Sequence, residues 1–390
     1  MILDLNARPR RRVTIIKTVV KQYRAIFFER LTEALSADGV ELKILFGSPS
    51  GDESAKADNV NLPASLGLRI PSRYLAGNRL LVQWPGLIEI ARSDLIVVVN
   101  ANRNLLNIPL LLLSWLGLKK VALWGHGYNH QGIPNSVSER LKKKLAVMPN
   151  WWFAYTTQTA RYLVSLGFRA DKITTIDNAI DTSGFSAMVQ SVTAEEVAAM
   201  RSRLNLSARD RIGLYCGSLY PEKRIPFLLS AAAKIASRIP DFRLVIIGTG
   251  IEEATVRKAA EELGFIRYAG PMFGKEKAVC YKMAEVILNP GLVGLAILDA
   301  FAAGLPVVAL SDSLHSPEIA YLEHGVNGLM VQGGMDEYVA ASLRLLEDEK
   351  FNLYLRIGAE QTRSRYTVEN MVRNVRAGIL QCLDSRTPEK

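Results

Sequence analysis

Apolar and polar positions along this chain alternate in blocks of two kinds. Short apolar runs at 13–16, 41–46, 95–99, 121–124, 152–155 and 173–176 have the length of buried strands. Segments with helical spacing lie between them, at 26–36, 86–91, 110–116, 137–146 and 158–166. A turn-rich stretch follows at 178–191, and then the alternation restarts. Strands are predicted at 212–216, 244–247, 266–268, 286–288 and 307–310, and helices at 225–236, 251–263, 275–284, 295–302 and 336–346. Strands alternating with helices predict a parallel, doubly wound α/β sheet, here in each half. A last helix is predicted at about 368–383, where Met371, Val372, Val375, Ile379 and Leu380 recur at helical spacing. The predicted domains are 1–185 and 186–365, with 366–390 as a closing helix and a substrate crevice between the halves.

Composition narrows the class. At 390 residues either half can bury its own core, and 49% hydrophobic residues with a mean hydropathy of +0.10 fit a globular enzyme. Cys216, Cys280 and Cys382 form no close pair and no metal spacing, which points to a reducing compartment. The first residues lack an apolar core of signal-peptide length. The longest apolar run, 108–118, contains Pro109 and Ser114 and is shorter than the roughly 20 residues a bilayer span needs. A cytoplasmic protein, soluble or peripheral on the inner face of the membrane, is the expectation.

The net charge of +10 is unevenly placed. Residues 1–185 carry 24 Lys and Arg against 14 Asp and Glu, while residues 186–390 carry 24 of each. Two readings stand: general solubility, or an anionic partner for the first half. Arg8, Arg10, Arg11 and Arg12 cluster at the start. Arg140, Lys142, Lys143 and Lys144 lie on a predicted helix running toward Trp151 and Trp152. Such residues suit an anionic membrane surface, with tryptophans in the headgroup layer, or else they are solvated lysines before a buried strand. The cationic half lacks the interleaved aromatics of single-strand nucleic-acid binders, so no nucleic acid is expected.

The candidate chemistry sits at strand ends. Residues 289–310 read N-P-G-L-V-G-L-A-I-L-D-A-F-A-A-G-L-P-V-V-A-L. A strand, a glycine turn and a helix predicted to open at Gly294 make a phosphate site from free N–H groups and the positive dipole end. Asp299, about one and a half turns in, is placed to reach ribose hydroxyls. Residues 216–224, C-G-S-L-Y-P-E-K-R, add a glycine turn with a trailing lysine, Lys223, which suits a diphosphate. His126, flanked by Gly125 and Gly127 after a strand, is either an active-site group or a structural histidine. His130 is either a second site residue or simple loop polarity, and His315 and His324 read as loop residues.

These residues carry a family resemblance, strongest in the second half and covering most of 120–375. The segment 289–310 resembles the signature of the retaining glycosyltransferases of family 4, which have the GT-B fold: two Rossmann-like doubly wound parallel-sheet domains facing a central cleft. In that family two glutamates spaced E-x7-E precede A-x-A-x-G-x-P-V-V. Asp299 matches the second, which holds the donor ribose. The first, which contacts the donor sugar, falls on Gly291. Lys223 matches the lysine of G-R-L-x-x-x-K-G, Ser218 replaces its arginine and Arg224 its last glycine. The segment 246–250, I-I-G-T-G, is similar to a G-x-G near the base, and Arg267 lies in I-R-Y-A-G, similar to V-x-F-x-G. The family commonly has histidine at position 126, near the transferred sugar. P-E-I at 317–319, G-V-N-G-L at 325–329, and Asn178 with Asp181 also match, as structural turns.

The resemblance implies His126, Lys223 and Asp299 as catalytic residues. It implies donor binding by Gly217, Ser218, Lys223, Arg224, Arg267, Gly291, Leu292, Val293, Gly294, Leu295 and Asp299. The family's glycine loop after the first strand is K-T-V-V-K-Q-Y-R here, so Lys21, Gln22 and Arg24 either face the acceptor or start a solvated helix. The implied reaction is retaining transfer from a nucleoside-diphosphate sugar to a hydroxyl of a glycan or lipid-linked acceptor, in cell-surface polysaccharide synthesis. No D-x-D occurs and no ligand cluster is spaced for a metal, so neither a metal nor another cofactor is expected. The alternatives are a non-catalytic sugar-nucleotide-binding protein and a GT-B-type sugar-nucleotide epimerase.

Overall fold

The computed structural model describes residues 11–51, 59–101, 103–127 and 143–385. The chain forms two compact units: one runs to Asn178 and takes up the chain again from Val368, and the other spans Ala179–Thr367.

The first unit is built on seven parallel strands: β1 (Arg11–Lys17), β2 (Val40–Phe46), β3 (Gly67–Arg69), β6 (Leu95–Val99), β7 (Lys120–Gly125), β8 (Trp151–Ala154) and β9 (Ile173–Thr175). Their order is β3-β2-β1-β6-β7-β8-β9, so the winding reverses between β1 and β6. Alternate strand residues bury against opposite layers, which is why the runs read as continuously apolar. Ile16, Ile96, Val98, Leu123 and Trp152 pack with Leu110 and Leu111 of the helix Asn107–Trp115 and Leu163 of the helix Thr157–Ser165. On the other layer Phe27, Trp124 and Phe153 meet ring to ring beside the helix Ala25–Ala37.

The closing helix, Val368–Asp384, belongs to this unit. Arg376 pairs with Asp38 at 2.6 Å, and Gly378 leaves no room for a side chain against Thr174 and Phe153. A short antiparallel hairpin, β4 (Ser72–Leu75) with β5 (Leu80–Gln83), was not among the predicted strands; its alternating, largely exposed residues give no apolar run.

Trp151 and Trp152 lie inside β8 and are buried, so they do not serve a headgroup layer. Four buried positions in a row on a central strand leave no face for lipid. Apolar exposure occurs elsewhere in the unit. Ile108, Leu112 and Trp115 share the outer face of the helix Asn107–Trp115, and Leu116 and Leu118 continue it. Leu87 and Ile88 are exposed on the neighbouring helix Leu87–Arg92, which Lys119 ties to this one by hydrogen bonds to the carbonyls of Ala91 and Ser93. Arg8, Arg10, Arg140, Lys142 and the start of the predicted helix 137–146 lie outside the described residues. No described helix is long and apolar enough to cross a membrane.

The second unit has six parallel strands: β10 (Arg211–Cys216), β11 (Phe242–Ile247), β12 (Ile266–Gly270), β13 (Val286–Asn289), β14 (Val307–Leu310) and β15 (Gly328–Val331). Their order is β12-β11-β10-β13-β14-β15, with the reversal between β10 and β13. The helices Ile225–Arg238 and Met335–Glu347 cover one face, through Leu228, Ala232, Tyr338 and Leu345.

The stretch predicted to be turn-rich contains the helix Thr182–Gln190. Its serines and Gly184 give weak local propensity, and tertiary contacts override it. Asp181 caps the helix by accepting from the Gly184 N–H at 3.0 Å, and Phe185 meets Tyr281 edge-on. The helix after Gly294 also differs from expectation. It spans Ala296–Ala302, two residues later, because residues 291–295 are held by other loops.

Candidate active site

In open α/β sheets ligands sit outside the carboxyl ends of the strands where the winding reverses. In the second unit that place lies between Cys216, ending β10, and Asn289, ending β13. The two loops leaving those strands are locked together there. The Lys223 Nζ donates to the Leu292 carbonyl at 2.5 Å, and the Leu292 N–H donates to the Glu222 carbonyl at 2.8 Å. A Cβ at Gly291 would come within 2.3 Å of the Lys223 carbonyl carbon and oxygen. That contact explains the missing carboxylate: with the Lys223 turn so close, only glycine fits.

The same loop is pinned from its other side. The Val293 N–H donates to His315 Nδ1 at 3.1 Å and the Ser316 N–H to the Val293 carbonyl at 2.9 Å. Because Nδ1 accepts, Nε2 carries the proton and donates to the Leu310 carbonyl at 2.6 Å. His315 therefore shapes residues 291–295, a role its place in a loop does not reveal.

Asp299 is buried, and it accepts from Lys277 Nζ at 2.7 Å. Lys277 stands on the helix Gly274–Met283, with its ammonium 4.8 Å from the Phe185 ring centre and 5.6 Å from that of Tyr281. Burial works against its charge, but Asp299 and the nearby Cys216 together outweigh it, and the ammonium is held above the usual lysine range. Burial pushes the neighbouring Cys216 thiol up, with Lys277 opposing and Asp299 adding to the rise. The carboxylate expected to meet ribose thus comes with its own counter-ion.

Lys223 is the responsive cation of the site. Burial lowers it to about 8, with Glu222 pulling the other way. Arg224 takes a left-handed backbone, φ 55°, where the resembling motif has glycine. Its guanidinium donates to Asp312 Oδ1 and Ser313 Oγ, both at 3.1 Å, and Ser313 in turn donates to the Pro290 carbonyl at 2.7 Å. Ser218 is exposed and its carbonyl accepts from the Tyr215 hydroxyl at 2.8 Å.

Gly217 and the G-T-G turn form one unit: a Cβ at Gly248 would lie 1.8 Å from the Gly217 carbonyl oxygen. Arg267 is not brought to this cluster. Its guanidinium serves the carbonyls of Asn205, Gly264 and Ile266, toward the amino end of β12. Asn289 Oδ1 is buried beside the site and has no hydrogen-bond partner among the described residues.

In the first unit the reversal lies between β1 and β6, at Lys17 and Val99. His126 follows β7, is exposed, and meets the Tyr155 ring edge-on at 4.5 Å; Tyr128, Asn129 and His130 lie outside the described residues. Arg24 is buried and donates to Asn178 Oδ1 and to the Met371 sulfur, while Lys21 is half-buried and Gln22 exposed. No group of three metal-ligating side chains occurs among the described residues.

Comparison with known proteins gives these geometries a context. The family model described as Glycosyl transferases group 1 matches residues 210–348, and that described as Glycosyltransferase Family 4 matches 25–183. Alpha-monoglucosyldiacylglycerol synthase of Acholeplasma laidlawii is 28% identical over 151 residues, 36% of each chain. Phosphatidyl-myo-inositol mannosyltransferase of Mycolicibacterium smegmatis is 29% identical over 134 residues, 33% of this chain and 34% of that one. The chain thus matches about a third of the length of these relatives.

Among solved structures, a glycosyltransferase of Rickettsia africae has a TM-score of 0.71 at 14% identity, covering 97% of this chain and 100% of its own. Anabaena Alr3699/HepE, solved in complex with UDP, has a TM-score of 0.69 at 16% identity, covering 95% and 99%. With the two parallel sheets, these likenesses show the GT-B fold.

Proposed function

The chain belongs to the glycosyltransferases of family 4, and from that membership we propose that it transfers a sugar from a nucleoside diphosphate to a hydroxyl of a lipid-linked or glycan acceptor, retaining the anomeric configuration. The observation that carries this reading is the interlocked loop pair where β10 and β13 diverge, with Lys223 against Gly291 and Leu292. On this reading Lys223 and the backbone of 291–295 meet the diphosphate, and Asp299 with Lys277 meets the ribose. Fixed cations and dipoles stabilise the leaving group without a metal. His126 belongs to the sugar and acceptor side.

A lipid-linked acceptor fits these two relatives, one named for a glucosyldiacylglycerol and the other for phosphatidyl-myo-inositol. The exposed apolar face of residues 108–118, beside a cationic half, supports work at the inner surface of the cytoplasmic membrane, in cell-surface polysaccharide synthesis.

A thermal-shift panel of nucleotide sugars tests the donor site. A ligand at 100 times its dissociation constant adds about 2.7 kcal/mol of stability. Acceptor-dependent sugar transfer that survives excess EDTA is the expected activity. Donor binding without turnover favours the binding protein, and an altered sugar nucleotide formed without acceptor favours the epimerase.

A further inference from the structure

We propose that the second unit carries a docking surface for a second copy of this chain: the outer face of the helix Glu349–Arg363, which pairs antiparallel with the same helix of another molecule. The inner side of this helix buries Asn352, Leu355, Gly358 and Ala359. The outer side is apolar as well, with Leu353 59%, Tyr354 58% and Ile357 48% exposed. Ile357 follows Tyr354 by three residues and Leu353 by four, so the three side chains share one face. The loop before β15 extends the patch. A Cβ at Gly358 would lie 1.9 Å from the Val326 carbonyl oxygen, so the exposed Val326 abuts the same helix. A contiguous apolar patch of this kind marks an interaction surface, whereas single exposed residues need no account.

Charge around the patch selects the occupant. The amino end of the helix is acidic, with Glu347, Asp348 and Glu349, and residues 186–390 have no excess of cations. An anionic lipid surface is repelled there. Arg363 and Arg365 make the carboxyl end basic, and Lys350 and Glu360 reduce these charges without reversing either end. Arg363 is steadied by donating to Ser186 Oγ at 2.5 Å, and Arg365 lies 5.2 Å from the Tyr366 ring centre. The helix has 15 residues, so its ends are about 20 Å apart and do not neutralise one another in physiological salt. Opposite charge at the two ends makes the face complementary to itself. A twofold axis across the middle of the helix sets the apolar residues against their own copies and each acidic end against a basic one. It also sets the two helix dipoles antiparallel.

The surroundings favour helix against helix over strand against strand. β15 is an edge strand, but its own preceding loop blunts that edge. The Met330 N–H donates to His324 Nδ1 at 3.2 Å, and the Gly325 N–H donates to the Gly328 carbonyl at 2.8 Å. A groove of about 790 Å³ beside Glu347, Asp348 and Glu349 has room for an arginine side chain of the second copy. One helix and its loop cover less than the roughly 800 Å² per partner of a standard interface, so the dimer is expected to exchange with monomer. The inference is independent of the sugar-transfer reading.

Sedimentation velocity of the full chain over a wide range of concentration tests it. The expected result is a monomer–dimer equilibrium that shifts to dimer with concentration and weakens as salt rises. Tyr354→Ser with Ile357→Ser weakens dimerisation at least tenfold and leaves the circular dichroism unchanged, because both side chains stand in solvent. Arg365→Glu alone, and Glu347→Lys with Glu349→Lys, each weaken it several-fold. An equimolar mixture of those two proteins restores it, because unlike ends then meet in both halves of the interface. A monomer at every concentration, a dimer indifferent to Tyr354→Ser with Ile357→Ser, or a mixture that fails to pair overturns the proposal. Loss of vesicle binding in that double variant, with no dimer in the unaltered chain, makes lipid the occupant and overturns it too.

Discussion

Lys223 and Gly291 lie in contact: the lysine backbone occupies the space that any side chain at 291 would need. The loss of a carboxylate from one loop and the placing of a lysine turn from the other are therefore one structural event. Restoring the family residue should do harm. Gly291→Glu is expected to displace the Lys223 turn and lower stability by about 1–3 kcal/mol, as overpacking does. Nucleotide binding should fall with it. Denaturant unfolding and UDP titration of the variant check both, and a gain in donor affinity would refute the account.

The depressed Lys223 gives the donor site a pH dependence with a definite sign. A diphosphate binds the protonated lysine, so UDP affinity is full below about pH 8 and declines as pH rises through that value. Bound anion raises the lysine again, so protons are taken up on binding. Lys223→Ala should flatten the profile between pH 7 and 9 and cost about 2–4 kcal/mol of transition-state stabilisation, by analogy with lost oxyanion donors. An unchanged kcat/KM in a folded Lys223→Ala protein would place the diphosphate elsewhere.

Lys277 and Asp299 form an ion pair whose side chains are only 20% and 11% exposed. Removing one partner leaves the other charge uncompensated, a loss of about 3–5 kcal/mol for a buried pair. Lys277→Met alone should therefore be strongly destabilising. The double variant Lys277→Met with Asp299→Asn should recover part of that loss. A double-mutant cycle by chemical denaturation measures the coupling, and additivity of the two changes would mean that the pair contributes nothing.

The exposed face of the helix Asn107–Trp115 predicts membrane association. Binding to anionic vesicles should fall as salt rises, since each basic residue near the surface adds on the order of 1 kcal/mol that salt screens. Leu112→Glu with Trp115→Ala should reduce co-sedimentation without unfolding, because both side chains are about half exposed, at 46% and 54%. Reversal of Lys142, Lys143 and Lys144 to glutamate should weaken it further. Equal binding to neutral and anionic vesicles, or none to either, would favour a soluble acceptor.

Most of both sheets was legible because buried parallel strands leave continuous apolar runs, and each predicted run falls on a strand or within a residue of one; the short edge strands β3 and β15 were not predicted, and Gly328 and Leu329, read as part of a turn, open β15. Lys223 and Asp299 were legible from glycine punctuation at strand ends. Lys277 was not. It sits in a G-K-E-K opening that reads as a solvated helix face, and only the packing of Phe185 and Tyr281 makes it a buried partner. His315 lies in a loop with no pattern, and its role exists only because the Val293 N–H points at it. Arg24 read as either an acceptor contact or a solvated cation at a helix start, yet it is buried and donates to Asn178 and Met371, far along the chain. The helix Glu349–Arg363 was not predicted: its buried face, Asn352, Leu355, Gly358 and Ala359, carries a single large apolar residue.

The first sheet is finished by the last helix. Val368–Asp384 packs against strands made at the beginning of synthesis, and Lys120 holds the carbonyls of Cys382, Leu383 and Ser385. As the ribosome delivers the chain, the first unit must wait, with the surface around Phe153 and Thr174 uncovered, until the whole second unit has emerged. The unit made first is completed last, and a ribosome stalled before residue 384 holds a nascent chain whose oldest part is its least protected.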